Sequence, residues 1–500
     1  MADYDVIVIG AGLGGLSLGA VMAKRGRKTL VVEQSPRVGG YCSTFERDGF
    51  RFDIGASIIE IIDVIDVCFK ELGTSVFNEV EMVPLEPIYT IKFKDGTQMR
   101  YPTSKEETAE EFSKISPKDA EGWLKFADYM QGFLDTALTG FFLEPANTLT
   151  DMLKMFLKTP KLFSYMPLFN MNYQDVLRKY FTHPKVQEAL AFQSNFMGLP
   201  PELCPGHMTM LPWAEHNGFF YSKGGMIAIP EALRRVGERH GMEVMLDTEV
   251  KSLMIRNGRA EGVSLASGEQ ISAEVVVSNI NAKSLYFDLV GEEHLGSMVR
   301  KGLQSLQPST AALMLYLGLD SKPELSAHHT LCTLPVEALN DYYWDVYKQG
   351  KLPDEQFGLI SWTSLSDSNN APKGNHTVVM TLACPNDLAT DSWDAVRERV
   401  IDETIDFMSK TYVPGLKNQV KTAILGTPLD YERNLLAPKG AIYMFHQDVA
   451  TSTVFRPASR SKSIKGLYLT GASTHPGGGI PSVMASGMIA AGLIEKYEKI

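Results

Sequence analysis

An α/β protein built around a parallel sheet of the Rossmann type is predicted by three features near the N-terminus. The run from Val6 to Ile9 is apolar and β-branched, as expected of a strand that is buried on both faces. A glycine-rich turn follows at residues 10–15, and a second apolar strand at residues 29–32 ends in Glu33. Strand, glycine turn, helix, strand and acid at this spacing are typical of a dinucleotide-binding unit.

The glycine turn and the helix after it provide the pyrophosphate end of this unit. Gly10 permits the tight turn, Gly12 lets the backbone approach a pyrophosphate, and Gly15 lets the helix pack on the strand. The first N–H groups of the helix, near Leu13 and Gly14, lie at the positive end of its dipole and favour an anion. We therefore expect these five residues to bind the cofactor.

Glu33 and the residues that follow it favour FAD as the dinucleotide. A carboxylate at the end of the second strand accepts hydrogen bonds from the adenosine ribose and disfavours a 2′-phosphate, so NADP is not expected in this site. We expect Gln34 to lie beside the same ligand and Arg37 to pair with a phosphate. Gly39 and Gly40 let the backbone approach the flavin side.

At this point the chain resembles the FAD-dependent flavoproteins of the amine-oxidase type, and among them the phytoene desaturases, carotenoid isomerases and retinol saturases. The resemblance rests on the segment Phe50–Ser57, on Tyr221–Met226 before a helix, and on the C-terminal run Gly466–Gly487. It implies a glutathione-reductase-like FAD-binding domain that is discontinuous in sequence. It also implies a mixed α+β substrate domain.

The resemblance assigns further residues to the cofactor. In these relatives the main chain at the position of Val250 contacts the adenine, and a turn at Gly471 precedes the segment that closes the flavin site. The start of the last helix lies at the flavin ring, which implies contacts from Ile480, Pro481, Ser482 and Val483. His475 is a candidate catalytic residue for proton transfer, with fixation of its loop as the alternative. No metal-ligand spacing occurs, so no metal is expected.

Five segments are expected from these assignments. Residues 1–100, 218–299 and 456–500 form the FAD-binding domain, residues 101–217 a helical subdomain, and residues 300–455 the sheet of the substrate domain.

The remaining elements follow from hydrophobic periodicity, turns and capping residues. We expect an apolar helix within residues 56–87, a hairpin at residues 88–101, and helices that begin at Thr103 or Ser104 and at Ser116-Pro117. Further strands are expected at residues 243–246, 249–255, 260–265, 269–272, 274–279, 311–319, 357–363, 377–383, 422–427 and 467–470, and further helices at residues 230–239, 392–412 and 480–494.

The helical subdomain is crowded with Met and Phe between residues 129 and 176, and Lys154, Lys158 and Lys161 occur among them at helical spacing. One interpretation is an ordinary apolar core. The other is a lysine-edged amphipathic surface that enters the membrane interface. The resemblance makes the two interpretations about equally well supported, because those relatives take substrates that dissolve in bilayers.

Composition excludes several classes of protein. The net charge of −11 argues against a nucleic-acid binder. The five cysteines are scattered without a C-x-x-C pair, which argues against a disulfide framework or a structural zinc site and fits a reducing cytosol. The first strand begins at Asp5, which leaves no room for a signal peptide, and no apolar run is long enough to span a bilayer. We expect a cytoplasmic protein, peripheral on the inner face of the membrane.

Other polar and aromatic residues are weaker candidates for substrate contacts. They are His183, Asn195, His207, Trp213, Glu215, His216, Tyr443, Phe445 and His446.

The resemblance implies a FAD-dependent oxidoreductase that desaturates a carotenoid or a related apolar polyprenoid by hydride transfer to the flavin. A single dinucleotide fingerprint points to oxygen, a membrane quinone or an external reductant as the electron partner. Tyr41, where desaturases carry a basic residue, favours the isomerase and saturase branch, whereas Thr474–Gly477 favours the desaturases. Carotenoid isomerisation by reduced FAD, saturation of a retinol-like polyene, amine oxidation and a non-catalytic flavin protein remain as alternatives.

Overall fold

The computed structural model describes residues 2–140, 142–146, 148–448 and 455–500. Its strands are β1 (Tyr4–Ile9), β2 (Thr29–Val32), β3 (Thr44–Arg47), β4 (Phe50–Asp53), β5 (Met82–Pro84), β6 (Tyr89–Lys92), β7 (Gln98–Tyr101), β8 (Phe220–Ser222), β9 (Glu243–Met245), β10 (Val250–Arg256), β11 (Arg259–Leu265), β12 (Gln270–Ser278), β13 (Ala311–Leu319), β14 (His329–Cys332), β15 (Gly358–Ser361), β16 (His376–Cys384), β17 (Val420–Gly426) and β18 (Leu467–Leu469).

The helices connect these strands and form one helical region between β7 and β8. They are α1 (Leu13–Lys24), α2 (Ile62–Glu71), α3 (Val76–Glu79), α4 (Lys105–Ser113), α5 (Pro117–Gly140), α6 (Leu149–Lys158), α7 (Met166–Phe169), α8 (Tyr173–Tyr180), α9 (Pro184–Ala191), α10 (Leu211–Ala214), α11 (Ala228–Arg239), α12 (Ala282–Ser284), α13 (Ser297–Ser305), α14 (Val336–Tyr342), α15 (Thr363–Ser366), α16 (Trp393–Thr411), α17 (Leu416–Gln419), α18 (Pro428–Leu435) and α19 (Ile480–Tyr497).

The first sheet contains the strands that were expected from both termini and from the middle of the chain. Strands β9, β2, β1, β12 and β18 are parallel neighbours in that order. The predicted separate strands at residues 269–272 and 274–279 were wrong, because β12 is one continuous strand. Its first half pairs antiparallel with β11 and its second half pairs parallel with β1, so both halves satisfy their backbone groups without a break.

Helices α1, α11 and α19 pack together against this sheet, and small residues set their distance. All of the residues of α1 from Leu13 to Ala23 are buried. A Cβ atom on Gly15 would lie 2.2 Å from the carbonyl oxygen of Gly10, and one on Gly487 would lie 2.6 Å from that of Gly14. The backbones of β1, α1 and α19 therefore approach one another as closely as glycine allows.

The second sheet has the strand order β17-β13-β16-β15-β14-β6-β7. Every residue of β13 is buried, since α16 covers one face of the sheet and the β3–β4 hairpin covers part of the other. The expected boundary at residue 100 needs correction, because β6 runs parallel to β14 and carries the hairpin into this sheet. Strand β6 is buried along most of its length. The backbone N–H and C=O groups on the edge that β7 does not cover therefore need a partner, and β14 provides it.

Local signals in the sequence located the helix starts well. The Ser104 side chain accepts a hydrogen bond from the Glu107 N–H at 3.3 Å, and α5 begins at Pro117 as predicted. Strand β14 was not predicted, because its four residues, His-Thr-Leu-Cys, do not form an apolar run. Among the described residues, no helix has the length and apolar character that crossing a membrane would require.

The close contact between α19 and α1 gives a stability prediction. We expect Gly487→Ala to lower the free energy of unfolding by about 1–3 kcal/mol, because the new methyl group meets the backbone of α1. Chemical denaturation of the purified protein measures this change. Gly492→Ala is the matched control on the same helix, since no atom lies within 4 Å of its added Cβ and the site is exposed. It should raise stability by about 0.5–1 kcal/mol, and equal effects of the two substitutions would contradict the packing account.

Candidate active site

A cavity of about 930 Å³ is lined by residues of both sheets and of the helical region. This volume lies near the upper end of the range for small-molecule sites. One part of its wall consists of glycine-rich turns at the carboxyl ends of β1 and β2, where ligands of open α/β sheets bind. Another part consists of Phe, Met and Leu side chains of the helical region. The cavity thus joins a dinucleotide-like cradle to an apolar chamber.

Most of the predicted cofactor residues line the cradle. They are Gly10, Gly12, Leu13, Gly14, Glu33, Gln34, Gly39, Gly40, Val250, Gly471, Ile480, Pro481, Ser482 and Val483. The Gly39 N–H donates to the Ala11 carbonyl at 2.8 Å, which joins the second glycine pair to the first turn. Gly39 and Gly40 have φ values of 108° and 56°, a backbone region that favours glycine.

The Glu33 carboxylate organises the turn from the end of β2. One oxygen accepts a hydrogen bond from the Ala11 N–H at 2.7 Å and the other accepts from the Ser35 N–H at 2.9 Å. Burial raises the pKa of Glu33, and the hydrogen bonds from backbone N–H groups oppose that shift. The carboxylate is therefore fixed where the sequence predicted an acceptor for ribose hydroxyl groups.

Two predicted cofactor residues do not line the cavity. Gly15 lies behind the turn, where it allows α1 to pack on β1, which is the role its spacing suggested. The Arg37 guanidinium donates to the Thr44 carbonyl at 2.7 Å and lies at a neighbouring cleft together with Gln34. Contact of Arg37 with a phosphate stays a prediction, and the side chain connects its own loop to the start of β3.

Asn279 is a site residue that sequence reasoning missed. It follows β12, and its N–H donates to the Ile9 carbonyl at 2.8 Å. Cβ atoms on Gly12, Gly14 and Gly471 would lie 2.6, 2.7 and 2.6 Å from its side-chain amide. The amide thus fills the space that these three glycines leave open. An asparagine directly after a buried strand was the available signal.

The C-terminal segment closes the cradle from the other side. The Ser486 hydroxyl accepts a hydrogen bond from the Gly471 N–H at 2.7 Å, which ties the turn after β18 to helix α19. The first residues of α19 line the cavity, so its N-terminal N–H groups and positive dipole end face the interior. Gly479 precedes the helix with a φ of 102°. Because it has no side chain, a ligand can come close to the start of α19.

His475 differs from its neighbours in this segment. Its side chain is 3% exposed, and the residue does not line the cavity, although Pro476 does. Its position agrees better with fixation of the loop than with contact to substrate. A catalytic role for His475 stays a prediction that the geometry does not favour.

The apolar chamber is built from the Met- and Phe-rich helical region. Its lining comprises Phe133, Phe142, Met152, Met155, Phe156, Leu162, Met166, Phe169, Phe196, Met197, Met208, Met210 and Leu211. His207 also lines it and stacks on Phe169 with ring centroids 4.6 Å apart. Burial lowers the pKa of His207 to about 4, so this imidazole is neutral at physiological pH. The chamber therefore suits an uncharged apolar ligand.

The other candidate residues divide between this cavity and the protein interior. Tyr443 lines the cavity, whereas His183, Asn195, Trp213, Glu215, His216, Phe445 and His446 do not. His183 caps α9, and the Trp213 indole donates to Gln131 at 2.7 Å. These contacts of His183 and Trp213 stabilise the fold. No group of three or more His, Cys, Asp or Glu side chains able to hold a metal occurs within the part of the chain that the structure describes.

Tyr41 and Tyr431 form an aromatic pair on the cavity wall that could not be identified from the sequence. Their rings are parallel within 3° and their centroids are 5.5 Å apart. At that separation the two rings stack on each other and leave no space for a substrate group between them. The pair therefore does not form the open aromatic clamp that amine oxidation would require.

The residues present fit FAD. Gly12 and Gly40 face each other with an added Cβ on Gly40 4.0 Å from the nearest atom, so a pyrophosphate can approach the backbone of both turns. Glu33 would supply an acceptor for the ribose, and the main chain at Val250 would contact the adenine. The N–H groups at the start of α19 would face the flavin ring.

Comparison with known proteins agrees with this geometry. The sequence matches the family described as flavin containing amine oxidoreductase over residues 13–494. A 4,4′-diapolycopene oxygenase from Methylomonas sp is 29% identical over 97% of each chain. A neurosporene-forming phytoene desaturase from Rhodobacter capsulatus is 29% identical over 99% of this chain and 94% of its own. The crystal structure of an oxidoreductase from Methanosarcina mazei has a TM-score of 0.66 at 17% identity and covers 98% of this chain and 100% of that one. The predicted fold class is confirmed.

Glu33 offers a direct test of the cradle. Glu33→Gln should weaken FAD binding by roughly 10–100-fold, because charge-assisted hydrogen bonds of this kind contribute about 1.5–3 kcal/mol. Titration of the apoprotein with FAD, followed by quenching of flavin fluorescence, measures the dissociation constant.

Asp5→Asn is the matched control for Glu33→Gln. The Asp5 carboxylate also accepts a backbone N–H, that of Lys28 at 2.8 Å, but at the opposite end of β1. It should leave FAD affinity unchanged. Wild-type affinity in Glu33→Gln would show that this carboxylate does not bind the cofactor.

Proposed function

The chain belongs to the flavin containing amine oxidoreductase family, as its motifs suggested, and from this premise we propose that it dehydrogenates a carotenoid or a related apolar polyprenoid. It is a flavin-dependent oxidoreductase and its cofactor is FAD. The relatives named phytoene desaturase and diapolycopene oxygenase act, by their names, on carotenoids. Their length and this chain's length match almost completely, which supports a substrate of the same class here.

The observation that carries the proposal is the continuity of the cavity. The same 930 Å³ space is bounded by the predicted flavin-binding residues and by the Phe and Met side chains of the helical region. A long apolar chain that enters this space meets the flavin end without crossing a polar barrier. A small charged amine would instead leave most of the apolar wall without a partner.

The protein's residues contribute binding, orientation and exclusion of water. Aromatic and thioether side chains such as Phe169 and Met208 hold an apolar chain by contact and adapt to its shape. Burial of the chain in this chamber positions one C–C bond at the ring and removes water from the reacting carbons. FAD, when bound, supplies a two-electron hydride acceptor. The neutral His207 adds a polarisable face without introducing charge.

Helix α6 supports delivery of the substrate from a membrane. Leu149, Leu153 and Leu157 recur every four residues and are 72%, 60% and 70% exposed. Met152, Met155 and Phe156 on the same helix line the cavity. One helix thus carries an apolar outer face and an apolar inner face, and the exposed Lys154 beside them suits anionic headgroups. Lys158 on the same helix pairs with Glu144 at 2.7 Å. This arrangement supports a peripheral protein on the inner, cytoplasmic face of a membrane.

Electrons leave the reduced cofactor to an external acceptor in this proposal. A membrane quinone is accessible to a protein docked through α6, and oxygen is the alternative acceptor. Anaerobic reoxidation by a short-chain quinone distinguishes the two.

The proposed dehydrogenation predicts that anaerobic addition of a phytoene-like polyene bleaches the oxidised flavin. A product with a longer conjugated system should form in the same reaction, because each C–C bond that becomes a double bond gives up a hydride to the cofactor and a proton. Absorption spectroscopy and mass spectrometry of the extracted pigment measure both. Conversion only after prior reduction of the flavin would contradict the proposal, and the product mass would then separate isomerisation from saturation.

Membrane docking through α6 predicts that Leu149, Leu153 and Leu157 drive binding to vesicles. Replacement of all three with Gln should reduce the partition coefficient at least about 100-fold, because each leucine contributes roughly 1.5–3 kcal/mol when buried. Sedimentation with vesicles that contain anionic lipid measures this loss, and flavin content should stay unchanged. The control is Met298→Gln/Leu365→Gln, which removes exposed apolar side chains elsewhere. Equal losses in both variants would argue against a specific docking face.

A further inference from the structure

Glu60 is a carboxylate on the cavity wall within a run of isoleucines. It stands within the run Ile58-Ile59-Glu60-Ile61-Ile62, directly before helix α2. The residue lines the cavity together with its neighbours Ile58 and Ile61. Among the described residues, no hydrogen bond or ion pair holds its carboxylate. A charged group in this position is costly for the fold and calls for a functional explanation.

The groups around Glu60 do not neutralise it. Those in electrostatic reach are Glu215, Tyr89 and Tyr443, and none of them carries a positive charge. Glu215 has its own donors, since it accepts hydrogen bonds from the Tyr89 hydroxyl at 2.7 Å and from the Gln193 amide at 3.4 Å. Burial is the single cause that raises the pKa of Glu60, to about 7.

Glu60 lines the cavity and lies within electrostatic reach of Tyr443, which connects it to the end where the flavin ring is expected. Its neighbour Tyr443 packs against Gly478, so closely that a Cβ atom there would lie 2.6 Å from the Tyr443 ring. Gly478 and Gly479 directly precede α19, whose start forms the flavin end of the cradle. The other carboxylates on the cavity wall, Glu33, Glu249 and Asp288, belong to or adjoin the elements of the dinucleotide end.

The backbone beside Glu60 is strained. Ile61 has φ 49° and ψ 47°, the left-handed region that a β-branched residue rarely occupies. Such strain costs about 1–3 kcal/mol and is retained where the surrounding structure needs one conformation. Here it ends the segment that carries Glu60 along the cavity wall and starts α2.

We propose that Glu60 is the general base of the dehydrogenation, an inference that rests on the proposed function. As one substrate carbon loses hydride to the oxidised flavin, the Glu60 carboxylate takes a proton from the adjacent carbon. The electron pair of that second C–H bond becomes the new C=C bond. Two C–H bonds break: one hydrogen goes to the flavin as hydride with two electrons, and the other leaves as a proton through Glu60 to solvent. A carboxylate that titrates near the working pH is suited to this task.

A purely structural role is the competing interpretation. In that case Glu60 and Glu215 are a buried acid pair kept for packing, and replacement of Glu60 by its amide leaves the chemistry unchanged. The two interpretations differ in the rate of flavin reduction and in its pH profile.

The kinetic test uses the holoenzyme with a phytoene-like polyene in anaerobic stopped flow. Glu60→Gln should reduce the rate of flavin reduction by at least about 100-fold, the usual contribution of a general base, with flavin content unchanged. The wild-type rate should rise with pH through about pH 7, because only the carboxylate accepts a proton, and the variant should lose this rise. Glu60→Asp should restore part of the rate. Asp63→Asn, an exposed acid three residues along the chain, should match wild type.

Thermal unfolding without substrate gives a second readout. A folded-state pKa raised above that of the unfolded chain means that the folded protein binds more protons, so stability falls as pH rises from about 5 to about 8. Glu60→Gln should therefore gain in melting temperature relative to wild type across this range. A constant difference across the range would overturn the assignment, because Glu60 would not then carry the penalised charge.

The outcomes separate this inference from the proposed function. Wild type that bleaches with the polyene, together with Glu60→Gln that bleaches equally fast, overturns the role of Glu60 and leaves the dehydrogenase proposal intact. Wild type that fails to bleach with any polyene overturns the dehydrogenase proposal and the base role with it.

Discussion

The cofactor cradle depends on the packing of the Asn279 side chain against the glycine turns. This side chain lies where the glycines after β1 and β18 leave room for it, because Gly12, Gly14 and Gly471 lack the Cβ atoms that would collide with its amide. Three parallel strands end at this point, and their turns must come within backbone contact for the cradle to form. The glycines therefore serve two needs at once, since they admit a ligand from one side and the Asn279 amide from the other.

The other elements of the fold surround the cavity on one side of Asn279. The parallel sheet supplies the cradle, α19 closes it, and the second sheet and the helical region enclose the space beyond. Helix α6 lies at the outer limit of this arrangement. One of its faces lines the cavity and the other is exposed at the protein surface. Polar groups are concentrated at the cradle and become rare toward the chamber, which matches a charged cofactor bound next to an uncharged substrate. Glu60 is the exception, a carboxylate between Ile58 and Ile61 on the cavity wall.

The sequence allowed the cofactor half of the site to be predicted in detail, because backbone approach to a dinucleotide restricts residue type strongly. Gly10, Gly12 and Glu33 occur at spacings that few other structures require. Residues that act through tertiary contacts were not accessible in this way. Asn279 is recognisable only once three strands are brought together, and the Tyr41–Tyr431 stack joins residues almost 400 positions apart. The Met- and Phe-rich segment had two interpretations, since a cavity wall and a packed core have the same composition. Strand β14 has too few apolar residues for a pattern to predict it.

A structure of the protein with FAD and a bound polyene tests the central claim, that cofactor and substrate share one continuous chamber. The account predicts the flavin ring between Gly40 and the start of α19. It also predicts that the polyene runs from the ring past Glu60 toward Phe169 and Met208. A polyene bound elsewhere on the molecule, or separated from the ring by protein side chains, would contradict it.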